Sequence, residues 1–114
     1  MSGPAPRKYH LVSAGSTNAT ALKDSPGKVF YITCSNVNAA VRYLKLYDMA
    51  AAPTVGTSTI AHTFLLPING NFTLVCDPPM DFGTGIAFAM TTEATDAGTT
   101  GVSASEHVVN IGYS

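Results

Sequence analysis

Apolar and polar residues alternate with a period of two along most of this 114-residue chain. In an extended strand successive side chains point to opposite faces, so such alternation predicts strands with one buried face each. The clearest run is "KVFYITCS", 28–35, with Phe30, Ile32 and Cys34 on one face and Val29, Tyr31 and Thr33 on the other. Residues 58–66 align Ile60, His62, Phe64 and Leu66, and 71–76 align Phe72, Leu74 and Cys76. In 86–92, Ile86, Phe88 and Met90 oppose Ala87 and Ala89, a small face that predicts close approach by another sheet or subunit. Residues 106–113 bring His107, Val109, Ile111 and Tyr113 together. Shorter runs at 9–14 and 19–23 add two more candidates.

Punctuation supports the same division. "DSPG" at 24–27 is a turn, because proline presets φ and glycine accepts a positive one. "NVNAA" at 36–40 is another, and "NG" at 69–70 predicts a hairpin between the strands on either side. Residues 49–57 and 77–85 are loops broken by Pro and Gly, and 93–105 is a long polar connection of the kind that is functional or mobile. No segment carries a sustained helical period. The expected fold is all-β: an antiparallel β-sandwich, jelly-roll-like, of seven to eight strands. Residues 1–8, "MSGPAPRK", read as a flexible arm and 9–114 as one domain.

One strand breaks the pattern. In "VRYLKLYD", 41–48, Val41, Tyr43, Lys45 and Tyr47 share one side and Arg42, Leu44, Leu46 and Asp48 the other. Leu44 and Leu46 are expected in the core, and Arg42 beside a loop acid that offsets the cost of its burial. Tyr43, Lys45 and Tyr47 are amphipathic and suit half-burial against a second copy or a larger surface.

Charge sharpens that expectation. Only 11% of residues are charged, against about 25% in typical soluble domains. Thr, Ser, Asn, Ala and Gly take the place of the missing charges, which suits flanks that meet other subunits. All six Lys and Arg fall in residues 1–45 beside one acid, a sum of +5; six acids and no base occupy 46–114, a sum of −6. Such asymmetry favours contacts between unlike surfaces. Few bases argue against nucleic acid, and no stretch reaches the ~20 apolar residues that span a bilayer. The N-terminus lacks an apolar run, so no export signal is expected, and Cys34 and Cys76 are read as reduced, buried hydrophobes.

Catalytic patterns are weak. No nucleophile elbow, zincin motif or phosphate loop occurs. His10, His62 and His107 are far apart, Asp77 and Asp81 flank "PPM" in one loop, and Ser103 and Ser105 precede His107 without an acid placed to orient it. The chain is therefore expected to be neither an enzyme nor a metal or cofactor binder. Tyr9, Tyr31, Tyr43 and Tyr47 are weighed as a carbohydrate platform, with Tyr43 and Tyr47 on one side, but packing in a core or at a subunit boundary, where the hydroxyl can stay wet, is the preferred expectation.

The segment "GKVFYITCSNVNAAVRYLKLYDMAAAPTVGTSTI", 27–60, with "IAFAMTT" and the closing "VVNIGY", resembles small β-sandwich structural proteins of tailed bacteriophages. The resemblance covers about residues 20–113 and carries no catalytic residues. It implies a virion protein made in the host cytoplasm: a capsid decoration or cement protein, or a tail- or fibre-associated protein that binds a carbohydrate or receptor. The implied partners are the major capsid protein or another virion protein, and further copies of the chain as a dimer or trimer. Arg7 and Lys8 on the arm, with Tyr43, Lys45 and Tyr47, are the expected contact residues.

Overall fold

A computed structural model describes residues 7–114. Eight strands form: β1 (Arg7–Val12), β2 (Thr20–Lys23), β3 (Gly27–Asn36), β4 (Arg42–Tyr47), β5 (His62–Leu66), β6 (Gly70–Phe82), β7 (Ile86–Thr91) and β8 (Val108–Tyr113). They make two four-stranded sheets, ordered β1-β8-β3-β6 and β2-β7-β4-β5, with every pair antiparallel. Each sheet interleaves strands from both ends of the chain, which is the jelly-roll form of the β-sandwich.

The alternation predicts the core well. Val29, Ile32, Cys34, Val109 and Ile111 face inward from the first sheet, and Leu44, Leu46, Leu66, Ile86, Phe88 and Met90 from the second. Burying each larger aliphatic or aromatic chain contributes about 1.5–3 kcal/mol. Tyr9 reaches across to Phe88, edge to face, with centroids 5.7 Å apart. Cys34 is fully buried, and burial pushes its thiol up to about 12, so it behaves as a small hydrophobe; Cys76 is only half-buried.

Three local expectations change. The "NG" segment does not close a hairpin: β5 and β6 lie in different sheets, so 67–69 is a corner between layers, where Asn69 takes φ 45°. A bulge at Phe30 puts Val29 on the inner side together with Ile32, so Phe30 leaves the predicted inward set, while Tyr31 stays on the outer face as alternation predicts. Loop 77–85 is instead mostly strand. β6 runs on to Phe82, but Val29 pairs with Met80 and Tyr31 with Val75, so 76–79 arch out of the ladder. The Asp77–Pro78 peptide there is cis.

Residues 1–6 of the expected arm lie outside the described residues. Arg7 and Lys8 are strand, not arm: they open β1, opposite Tyr113 and Gly112.

Candidate interaction surfaces

Outside the core, the two sheets present two outer faces and two ends. On the second sheet, Tyr43, Lys45 and Tyr47 do share the outer side, as the alternation requires. Their surroundings correct the expectation of an interface. Lys45 and Tyr47 have no exposed surface, and only Tyr43 is partly open. What covers them is the chain itself. Ala87 and Ala89 on β7 flank Tyr47 and Lys45 in register, and their small side chains leave room for larger neighbours. Ala19, Met49, Val55 and Ile60, from the preceding and following loops, pack on Tyr47 and the two alanines. The 49–61 segment meets the 93–105 connection at Gly56. Gly56 takes φ +90°, and a Cβ on it would lie 2.5 Å from Thr99 Cγ2. Glycine is therefore required there both by conformation and by space.

This cover holds polar groups that the apolar bodies cannot satisfy alone. Lys45 Nζ donates to Thr95 O at 2.7 Å. Burial pulls its pKa down, while Glu93 and Asp96 push it back up. Among the described residues Tyr47 Oη is buried with no hydrogen-bond partner, and burial, reinforced by Asp96, raises its pKa. Glu93 ties down the far loop by accepting from Thr100 N at 3.0 Å and Thr100 Oγ1 at 2.5 Å. The long 93–105 connection is thus fastened over the sheet.

At one end of the sandwich, between the β3–β4 turn and the start of β8, Arg42 finds the acid expected for it. Arg42 Nε donates to Glu106 Oε2 at 3.1 Å. Glu106 Oε2 also lies 2.7 Å from His107 Nε2, and Oε1 accepts from Asn38 Nδ2. Burial opposes ionisation of Glu106, but Asn38, His107 and Arg42 outweigh it and hold the carboxyl below its usual range. The other ring nitrogen of His107 contacts Ser35 O at 3.1 Å, and Ser13 Oγ accepts from the amides of Glu106 and His107. An acid therefore does orient His107, contrary to expectation: it is the adjacent residue, brought round because Glu106 precedes the strand. Both ring nitrogens are occupied and no hydroxyl faces either one, so the group is a structural tie between sheets.

The opposite end gathers the exposed bases. Arg7, Leu22, Lys23, Asp24 and Tyr113 line a cleft between the edges of the two sheets, and Lys23, Lys28 and Asp81 line a recess beside it. Lys8 stands next to Arg7 on β1. Lys28 pairs with Asp81. Asp48 accepts from the amides of Gly83, Thr84 and Gly85 at 3.0, 2.8 and 3.3 Å, and these bonds hold its pKa low. Arg7, Lys8 and Lys23 are left against Asp24. The sequence-level charge split survives only in this local form.

Among the described residues nothing covers the outer face of the first sheet. The strand register sets out three cross-strand rows: Val12, Val108, Ser35 and Asn71; His10, Asn110, Thr33 and Thr73; Lys8, Gly112, Tyr31 and Val75. The middle row is joined by hydrogen bonds, with His10 Nδ1 2.7 Å from Asn110 Oδ1 and Asn110 Nδ2 donating to Thr33 Oγ1 at 3.2 Å. No sequence spacing reveals this ladder, because its members lie on strands distant in the chain.

The remaining sequence candidates stay apart. His10 is on β1, His62 stacks on Phe64 at the β5 edge, and His107 is buried. Asp81 pairs with Lys28 whereas Asp77 is exposed on the arch. Among the described residues no group of three His, Cys, Asp or Glu gathers as metal ligands. Fold and surfaces together define a jelly-roll sandwich with one self-covered and one open face. Comparison with protein-family models, curated proteins and solved structures finds no match for this chain.

Proposed function

We propose that this protein is a structural component of a tailed-phage virion, a capsid decoration protein that binds the assembled head as an oligomer of two or three copies. The observation that carries the reading is the gathering of bases at one end of the sandwich, Arg7, Lys8 and Lys28 exposed and Lys23 half-buried, while Arg42 and Lys45 are engaged inside. A basic end is suited to an acidic shell of repeating subunits. Many such weak contacts on a lattice gain through avidity, and binding only the assembled form stabilises it by mass action. The resemblance of residues 27–60 to phage structural proteins and the low overall charge agree with this reading.

The test is co-sedimentation of the purified protein with empty heads, with sedimentation velocity reporting its own oligomeric state. Combined Arg7→Glu, Lys8→Glu and Lys23→Glu substitutions are expected to abolish head binding while the protein stays folded. Binding by the unaltered protein should weaken as salt is raised. Undiminished occupancy by the triple variant would rule the basic end out as the contact.

A further inference from the structure

We propose that the open outer face of the β1-β8-β3-β6 sheet binds a neutral oligosaccharide, with Tyr31 as its stacking surface. The proposal does not depend on the head-binding reading, and of the basic end only Lys8 borders this face.

Four features of the face converge. The first is the position of Tyr31. A Cβ on Gly112 would lie 2.1 Å from Tyr31 Cε2 and 2.5–2.6 Å from Cδ2 and Cζ. The ring therefore lies down over the bare Gly112 backbone instead of standing off the sheet. Glycine in a strand interior marks such a close approach. A ring held flat and half-exposed presents an apolar surface to the C–H face of a sugar.

The second is the row beside it. With His10 Nδ1 donating to Asn110 Oδ1 and Asn110 Nδ2 donating to Thr33 Oγ1, the amide and imidazole are fixed in orientation before any ligand arrives. Such preorganisation lowers the entropy lost on binding. His10 Nε2, the Thr33 hydroxyl and the unpaired Thr73 hydroxyl remain to meet ligand hydroxyls.

The third is charge. Of the twelve positions in the three rows only Lys8 is charged, which suits a neutral ligand. The fourth is size. Strands ~4.8 Å apart and alternate residues ~6.8 Å apart give a platform roughly 14 by 14 Å between side-chain origins. A stable protein partner needs about 800 Å² on each side, several times that extent. A short glycan fits it, and a second copy of the sandwich would overhang it.

The experiment is a glycan array of neutral oligosaccharides of hexoses and N-acetylhexosamines, probed with the purified full chain. Calorimetric titration of the best member follows, with variants. Tyr31→Ala, Asn110→Ala and Gly112→Ala, whose methyl would lift the ring off the sheet, are each expected to lower affinity about tenfold. Tyr43→Ala, on the other sheet, should change it by less than about twofold. His10→Ala, an exposed edge substitution, keeps the test alive if Tyr31→Ala does not fold. Retention of no glycan by the unaltered chain overturns the proposal. So does affinity unchanged in all the outer-face variants, or a dimer seen by sedimentation that Tyr31→Ala dissolves.

Discussion

The two outer faces of this sandwich come from the same period-two alternation and meet opposite fates. On the second sheet, Lys45 and Tyr47 are sealed beneath the chain's own loops. On the first, His10, Asn110 and Thr33 form a hydrogen-bonded row on the open face, with Thr73 exposed at its end. Alternation states which side chains turn away from the core. It does not state whether "away" means water. That is decided by the small residues beside them and by the length of the connections. Ala87 and Ala89 leave space over β7, and the connections 48–61 and 92–107 are long enough to lie across it. Over the first sheet the comparable space at Gly112 is already filled by Tyr31.

The strongest way to break the comparison is to remove the body of the covered face. Tyr47→Ala leaves a cavity under the cover and should cost about 3–5 kcal/mol, the range for deleting a buried aromatic ring. Urea unfolding would measure it. A loss below about 1 kcal/mol would mean that the cover collapses freely onto the sheet and that the face is not a second core.

A second effect tests the tie that holds both faces to one sandwich. Glu106 joins Arg42 of β4 in one sheet to His107 at the start of β8 in the other. Its folded pKa is lowered below the ordinary 4.5, so the unfolded chain binds the proton more readily. Its stabilisation is complete above the unfolded value and is lost as pH falls through the lower folded value. Glu106→Gln should cost roughly 3 kcal/mol near neutral pH, because it leaves the largely buried Arg42 without its counter-charge. It should also flatten the acid limb of stability below about pH 4.5, leaving the slope that Asp48 contributes through its three amide bonds and Glu93 through its bonds from Thr100. If the acid limb of the variant matches that of the parent chain, Glu106 is not the group that titrates.

Much of this was legible in the sequence, and the failures have physical causes. The core-facing side of most strands followed from alternation, and the jelly-roll sandwich from the count and spacing of strands. Arg42 was rightly expected beside an acid, since a buried charge requires one. Lys45 and Tyr47 were misplaced because their cover comes from residues such as Val55, Ile60 and Thr95, far along the chain and bland in composition. The "NG" pair marked a real change of direction but not its destination, which depends on which sheet the next strand joins. The bulge at Phe30 put the residues before Tyr31 out of phase and so exchanged Phe30 for Val29 in the core. The polar ladder needed the cross-strand register, which one strand's sequence does not contain.

The smaller predictions sharpen the contrast. Tyr47→Phe removes only the unpartnered hydroxyl and keeps the ring. Because a buried, unpaired polar group costs about 1–3 kcal/mol, the substitution should leave stability unchanged or raise it by up to about 1 kcal/mol. A loss of more than that would show that the hydroxyl has a partner within the cover. On the open face, His10→Ala and Thr73→Ala remove exposed groups at the sheet's two edges and should stay within about 0.5 kcal/mol. Thermal unfolding of these variants beside Tyr47→Ala gives the decisive ratio. If the edge substitutions cost as much as the buried ring, the open face is itself maintained for stability. If they cost almost nothing, as exposed substitutions ordinarily do, its ordered row of side chains is not there to hold the fold.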